Sequence, residues 1–119
     1  MKSKRKKLFT VADKDRRLSF EEVVNIVKMG ARFDLAIGVL CWTRSLQTHW
    51  QTQAEQMPLL EVMDINNATL PEWQAHLSDH PYDILIFHGA QRAQQVGQLS
   101  AKYAEGLVDC VPAGLLVWV

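Results

Sequence analysis

The fold is decided by the stretch Phe33-Asp-Leu-Ala-Ile-Gly-Val-Leu-Cys-Trp42. It is a nearly continuous apolar run, and only Asp34 and Gly38 interrupt its large hydrophobic side chains. A strand with one solvated face alternates polar and apolar residues, whereas a strand covered on both faces is apolar throughout. The stretch therefore predicts a central strand of a parallel sheet with helices packed on both sides.

Further strand patterns alternate with helix patterns along the rest of the chain. The strands are predicted at Leu59–Ile65, Asp83–His88 and Leu115–Val119, and Leu8–Ala12 is a candidate edge strand. Because crossovers between parallel strands are right-handed, helices cover the faces of such a sheet. We expect an α/β fold, a three-layer sandwich with a mostly parallel four- or five-stranded sheet and about four helices. Residues 18–119 are expected to be a single α/β domain, and residues 1–17 a basic N-terminal segment.

Local signals locate the helices. Two helices are predicted to begin at capping boxes, Ser19 with Glu22 and Thr69 with Glu72. The other two are predicted at Ser45–Gln56 and Gln91–Glu105, where apolar residues recur on one face. Gly30 is interpreted as the stop of the first helix, since glycine is common just after a helix end.

Charge and hydropathy limit the function classes. Residues 1–32 carry ten Lys/Arg against four Asp/Glu, whereas residues 33–119 carry three against nine. The acidic body would repel phosphates and the basic segment has no interleaved aromatic residues, so nucleic-acid binding is disfavoured. No apolar run is long enough for a membrane span or a signal peptide, which predicts a cytoplasmic protein. The two cysteines, Cys41 and Cys110, form no CxxC pair.

The turns after the predicted strands are the places to look for catalysis, because parallel sheets bind ligands beyond their carboxyl ends. Neither a dinucleotide nor a P-loop fingerprint occurs there, and bulky residues such as Trp42 are expected to fill the space. Cys41, at the end of a strand and near Arg44, is the basis of an alternative in which the chain is a small cysteine-dependent enzyme. Because the turns have no nucleotide-binding fingerprint and are expected to be filled, our main expectation is that there is no catalytic residue and no cofactor.

The histidines are the remaining candidates for reactive groups. His76 and His80 have the i, i+4 spacing that two metal ligands on a helix would need, but no third ligand has a diagnostic spacing. His88 ends a strand, and no acid or nucleophile can be assigned to it. We expect structural roles for these residues and no metal site.

The order of elements resembles that of the cell-division inhibitor SulA family over roughly residues 18–119. Ala31-Arg32-Phe33 resembles the start of the family's first strand, and Leu60–Ile65 resembles its second strand. The segment Leu46–Ala54, which contains Trp50, resembles the family's helix with a Glu-Trp pair. The resemblance implies a RecA-like fold without a nucleotide loop, and an SOS-response protein that binds FtsZ and blocks its assembly without enzymatic activity.

The same resemblance implies a partner-binding surface made of Arg32, Phe33, Trp50 and Glu61. Phe33 stands where the family usually has tryptophan, and Glu61 stands where it has lysine. Trp50 also lies on the stripe of Leu46 and Ala54, so both a core position and a binding anchor stay open for it.

We therefore expect a non-enzymatic regulatory protein that binds another protein, with FtsZ as the candidate partner, and the chain could also form a homodimer. A second alternative is a degenerate receiver-like signalling domain. Asp79–Phe87 resembles the approach to a receiver's phosphoacceptor strand, with His88 near the acceptor position. A receiver would need one more strand and helix than the pattern provides.

Overall fold

The structure is a computed structural model that describes residues 7–9, 19–111 and 115–119. The strands in these residues form a single parallel sheet. The strands are β1 (Lys7–Phe9), β2 (Ile37–Cys41), β3 (Leu60–Asp64), β4 (Ile84–His88) and β5 (Leu115–Trp118). Their order across the sheet is β1-β5-β4-β2-β3. All four strand pairs are parallel, which confirms the predicted α/β class.

Helices cover both faces of this sheet. The described residues form α1 (Phe20–Ala31), α2 (Arg44–Ala54), α3 (Leu70–Asp79), α4 (Ala90–Gln95) and α5 (Ala101–Val108), with a short 3-10 turn at Ile65–Asn67. Both predicted capping boxes are present, at Ser19 and at Thr69. None of the helices in these residues is long and apolar enough to cross a bilayer.

The core is divided into two layers by the sheet. On one face, α1 and α2 pack Val23, Val27 and Trp50 against β2 and β4. On the other face, α3 and α5 pack Trp73 and Leu107 against the same sheet, and α4 joins them. Because β2 and β4 are buried along their whole length, their sequences are apolar throughout, as the stretch Phe33–Trp42 predicts.

The helix predicted over Gln91–Glu105 is wrong, because two shorter helices occupy that region. Gly97 adopts a left-handed backbone with φ +80°, which ends α4. The Ser100 hydroxyl then accepts a hydrogen bond from the Tyr103 N–H and begins α5. Val96, the last residue before Gly97, is half exposed.

Gly30 does not end the first helix. It is buried inside α1, and a Cβ there would lie 2.7 Å from Ile84 Cδ1, so glycine permits close approach of the helix to the sheet. The left-handed position follows later, at Asp34 with φ 57°. The N–H groups of Phe33 and Leu35 both donate to the Gly30 carbonyl and close this turn.

The edge strand β1 pairs with β5, Lys7 opposite Leu115 and Phe9 opposite Val117. It overlaps the predicted edge strand Leu8–Ala12 at its first two positions, and residues 10–12 lie outside the described residues. The rest of the basic N-terminal segment, residues 1–6 and 10–17, lies outside them as well.

Candidate functional site

The crevice between the carboxyl ends of β2 and β4 is closed. The next strand after β2, which is β3, lies on one side of β2, and the strand after that, β4, lies on its other side. The order of strands reverses between β2 and β4, and an open α/β sheet usually binds its ligand at such a crevice. The Trp42 N–H donates to the His88 carbonyl at 3.0 Å. A Cβ on Gly89 would lie 3.0 Å from both Trp42 Cβ and Leu46 Cδ1. Bulky residues therefore fill the turns after β2 and β4 at this crevice, as expected.

A buried aromatic cluster lies beside this crevice. Trp50 is fully buried, and its indole Nε1–H donates to His88 Nδ1 at 2.9 Å. The Phe20 ring packs on both, with centroids 5.1 Å from Trp50 and 5.8 Å from His88. Burial lowers the pKa of His88 to about 4, so its imidazole is neutral at pH 7 and carries its proton on Nε2. The interpretation of Trp50 as an exposed binding anchor is therefore wrong, and its core position is correct.

Cys41 lies in the interior and has no exposed surface. Burial, with a contribution from the negative charge of Asp64, raises the pKa of its thiol to about 12. A nucleophilic cysteine needs the opposite shift, because the thiolate is the reactive form. This geometry gives the cysteine-enzyme alternative no activated thiol at pH 7.

His76 and His80 belong to a group of interacting side chains around Tyr82, here called the Tyr82 network. The Tyr82 hydroxyl donates to Glu61 Oε1, and its oxygen lies 3.1 Å from His76 Nε2. Burial, followed by the hydrogen bond and charge of Glu61, raises the pKa of Tyr82. His80 stacks on His76 with ring centroids 4.1 Å apart. Within residues 19–111 and 115–119, no three His, Cys, Asp or Glu side chains are grouped to hold a metal ion.

Exposed apolar side chains gather at the opposite end of the sheet, where α1 ends and β3 begins. We call Met29, Arg32, Phe33 and Leu59 the amino-end patch. Phe33 is 72 % exposed, Met29 63 % and Leu59 49 %, and Arg32 is exposed as well. The strand that follows α1, β2, meets the segment before β3 where the Ile37 N–H donates to the Leu59 carbonyl. A cavity of about 120 Å³ between them is lined by residues 34–35 and 56–60, among others.

A larger cavity opens at the carboxyl ends of β2 and β3, and we call it the carboxyl-end cavity. Its volume is about 670 Å³, and it lies between the 3-10 turn and the loop that precedes α5. It is lined by Trp42, Ile65, Asn66, Ala68, Gly97, Gln98, Leu99, Ser100 and Tyr103. The expectation that bulky residues fill all of these turns is therefore wrong on the β3 side of Trp42. One wall of the cavity is the loop around Gly97, which the sequence analysis did not predict because it placed a continuous helix there.

The four residues expected to bind a partner do not share one surface. Arg32 and Phe33 lie in the amino-end patch, whereas Trp50 is inside the layer formed by α1 and α2. Glu61 is exposed, but its side chain bonds to Tyr82 on the other face of the sheet. Met29 and Leu59, which sequence reasoning missed, extend the patch. Met29 lies in the last turn of α1, four residues before Phe33, and that spacing was the available signal.

Comparisons with protein-family models, with curated proteins and with solved structures found no match to this chain.

Proposed function

We propose that this chain is a non-enzymatic regulatory protein that binds another protein through the amino-end patch. The observation that carries the proposal is Phe33, which exposes 72 % of its surface beside the exposed Arg32. Aromatic residues and arginine are enriched at the energetic centres of protein interfaces. Of the four exposed large hydrophobic residues among the described ones, Met29, Phe33 and Leu59 belong to this patch.

FtsZ is the partner that we propose, because the resemblance to the SulA family implies it. The biological role that goes with this partner is inhibition of FtsZ assembly and of septation in the SOS response. The burial of Trp50 changes the contact from the one that the resemblance implies. In our proposal Trp50 supports α2 from inside, and Phe33 supplies the aromatic contact. A cytoplasmic location belongs to the same proposal and agrees with the free thiols of Cys41 and Cys110.

A pelleting assay with purified FtsZ tests this proposal. The wild-type chain in molar excess should lower the amount of polymeric FtsZ in the pellet. With the double variant Arg32→Ala/Phe33→Ala, the amount of FtsZ in the pellet should equal that of FtsZ alone. The reason is that truncation of interface centres typically costs more than about 2 kcal/mol of binding free energy. Val96→Ala removes a similarly exposed apolar side chain elsewhere and should act like the wild type. Unchanged polymerisation in the presence of excess wild-type chain rejects FtsZ as the partner.

The order of strands favours a second candidate, the receiver-like signalling domain. Without β1, the order β3-β2-β4-β5 is the 2-1-3-4 order of a flavodoxin-like doubly wound sheet. A receiver needs one further strand at the outer position, and β1 lies there, beyond β5. His88, near the acceptor position in this comparison, is buried and neutral at pH 7, so such a domain would act by binding alone. This candidate predicts that FtsZ assembly is unaffected.

A further inference from the structure

The carboxyl-end cavity has the position and size of a small-molecule site. Ligands of parallel α/β sheets bind beyond the carboxyl ends of the strands, and this cavity opens beside the ends of β2 and β3. Its volume of about 670 Å³ lies within the range of roughly 300–1,000 Å³ that is common for ligand pockets. A ligand could enter this cavity without any movement of the residues that close the crevice between β2 and β4.

The walls of the cavity define the chemistry of a ligand. None of the nine lining residues carries a charge. An anionic group such as phosphate would therefore gain no ion pair with these walls in return for any hydration that it loses. The hydrophobic surface comes from Ile65 and Leu99, and hydrogen-bonding side chains come from Asn66, Gln98 and Ser100. An uncharged ligand with polar edges fits these walls.

Two aromatic side chains add a preference for a flat ring. Trp42 and Tyr103 both line the cavity. The indole of Trp42 also packs on Phe87 and Trp118, with ring centroids at 5.7 and 6.4 Å, and these contacts limit the positions that the ring can take. Burial raises the pKa of Tyr103, which keeps its hydroxyl protonated and able to donate.

The amide groups match the edge of a heteroaromatic ring. Asn66 is held at the rim by the bond from its backbone N–H to Asp64 Oδ1, 2.9 Å long. Side-chain amides offer a donor and an acceptor together, which is the pairing that asparagine and glutamine use on base edges. Ser100 accepts the Tyr103 N–H and keeps its hydroxyl proton available for a ligand.

We propose that the carboxyl-end cavity binds an uncharged heteroaromatic molecule of the nucleobase or nucleoside class. The ring stacks on Trp42 and its polar edge bonds to the amides of Asn66 and Gln98. This site is separate from the amino-end patch, so its existence does not depend on the proposed partner.

Titration calorimetry on the full chain tests this site, with adenosine, guanosine, cytidine and uridine as probes and adenosine monophosphate and glucose as comparisons. At least one nucleoside should bind with a Kd below about 1 mM. Asn66→Leu should weaken that binding by about tenfold, because the ring edge loses a hydrogen-bond partner. The matched control is Asn67→Leu, which changes the neighbouring exposed asparagine that does not line the cavity, and it should bind like the wild type.

Several results would overturn the assignment. One is the absence of a nucleoside that binds with a Kd below about 1 mM. Glucose binding in place of a nucleoside would assign the cavity to carbohydrates. Binding of adenosine monophosphate as tight as that of adenosine would contradict the uncharged class, and equal affinities of the Asn66→Leu and Asn67→Leu variants would place the ligand elsewhere.

Discussion

Trp50 and His88, on α2 and β4, are joined by a buried hydrogen bond of 2.9 Å from the indole Nε1–H to the imidazole Nδ1. The bond removes Trp50 from the surface and fixes the tautomer of His88, because an indole nitrogen can only donate. It also connects a helix to the central part of the sheet at a point where both side chains are shielded from water. The stability and the pH response of the protein should both depend on this pair.

Replacement of Trp50 by phenylalanine should destabilise the protein. Phe cannot donate, so His88 Nδ1 would be left buried without its partner, and the smaller ring leaves a cavity. We expect the free energy of unfolding to fall by about 2–4 kcal/mol, measured by guanidinium denaturation. The exposed substitution Phe33→Ala is the control and should change it by less than about 0.5 kcal/mol. Equal stabilities of the two variants would mean that the Trp50 bond contributes nothing.

The buried imidazole of His88 should make stability fall in mild acid. Its pKa in the folded protein is about 4, against 6.5 for an ordinary histidine. Between these values the unfolded chain takes up a proton that the folded chain does not, so unfolding becomes easier as the pH drops from 6.5 to 4. The full effect is about 3 kcal/mol, and almost none of it is lost above about pH 7.5.

The control for this pH response is His88→Gln, whose amide oxygen can still accept from Trp50. Urea denaturation of both proteins at a series of pH values should show a shallower slope for the variant between pH 4 and 6.5. Parallel curves for the two proteins would assign the acid sensitivity to other groups.

Cys41 should resist alkylation. Its buried thiol has a pKa of about 12, so almost no thiolate is present at pH 7.5. With iodoacetamide we expect modification of the partly exposed Cys110 first, and of Cys41 only after unfolding. Mass spectrometry of timed samples, with Cys110→Ala as the single-thiol control, measures both rates. Rapid labelling of native Cys41 would revive the hypothesis of a cysteine-dependent enzyme.

Gly38 should be more sensitive to alanine than Gly106. A Cβ at Gly38 would lie 2.9 Å from the Tyr82 ring, which the Tyr82 network holds in place. At Gly106 the nearest atom is the amide end of Gln74 at 3.2 Å, and this flexible side chain can move. We expect Gly38→Ala to lower the free energy of unfolding by about 1–3 kcal/mol.

In α5, Gly106→Ala should be neutral or stabilising by up to about 1 kcal/mol, since alanine favours helix. Thermal unfolding followed by circular dichroism compares the two variants. The comparison fails if Gly38→Ala proves as stable as Gly106→Ala.

The fold could be predicted from the sequence because it is expressed in local patterns. The apolar stretch Phe33–Trp42 indicates a strand covered on both faces, and the capping boxes at Ser19 and Thr69 begin the helices where expected. The break within the helix predicted at Gln91–Glu105 was also encoded locally, by Gly97 and Ser100. The regular spacing of apolar residues across it outweighed these two signals.

The candidate sites were harder to predict because they depend on contacts between distant segments. The stripe of Leu46, Trp50 and Ala54 left both a core position and a binding anchor open for Trp50, because its partner His88 is 38 residues away along the chain. The amino-end patch needs the approach of Leu59 to the end of α1. The carboxyl-end cavity needs the loop at Gly97 to face Trp42. Neither arrangement leaves a short motif in the sequence.

Hydrogen–deuterium exchange of this chain mixed with FtsZ tests the proposed binding surface most directly, because it shows which amides a partner covers. Protection should appear at residues 28–34 and 56–60, which carry the amino-end patch, and should be absent from the Phe33→Ala variant. Protection restricted to the carboxyl-end turns, or no change in exchange at any peptide in the presence of excess FtsZ, would contradict the account.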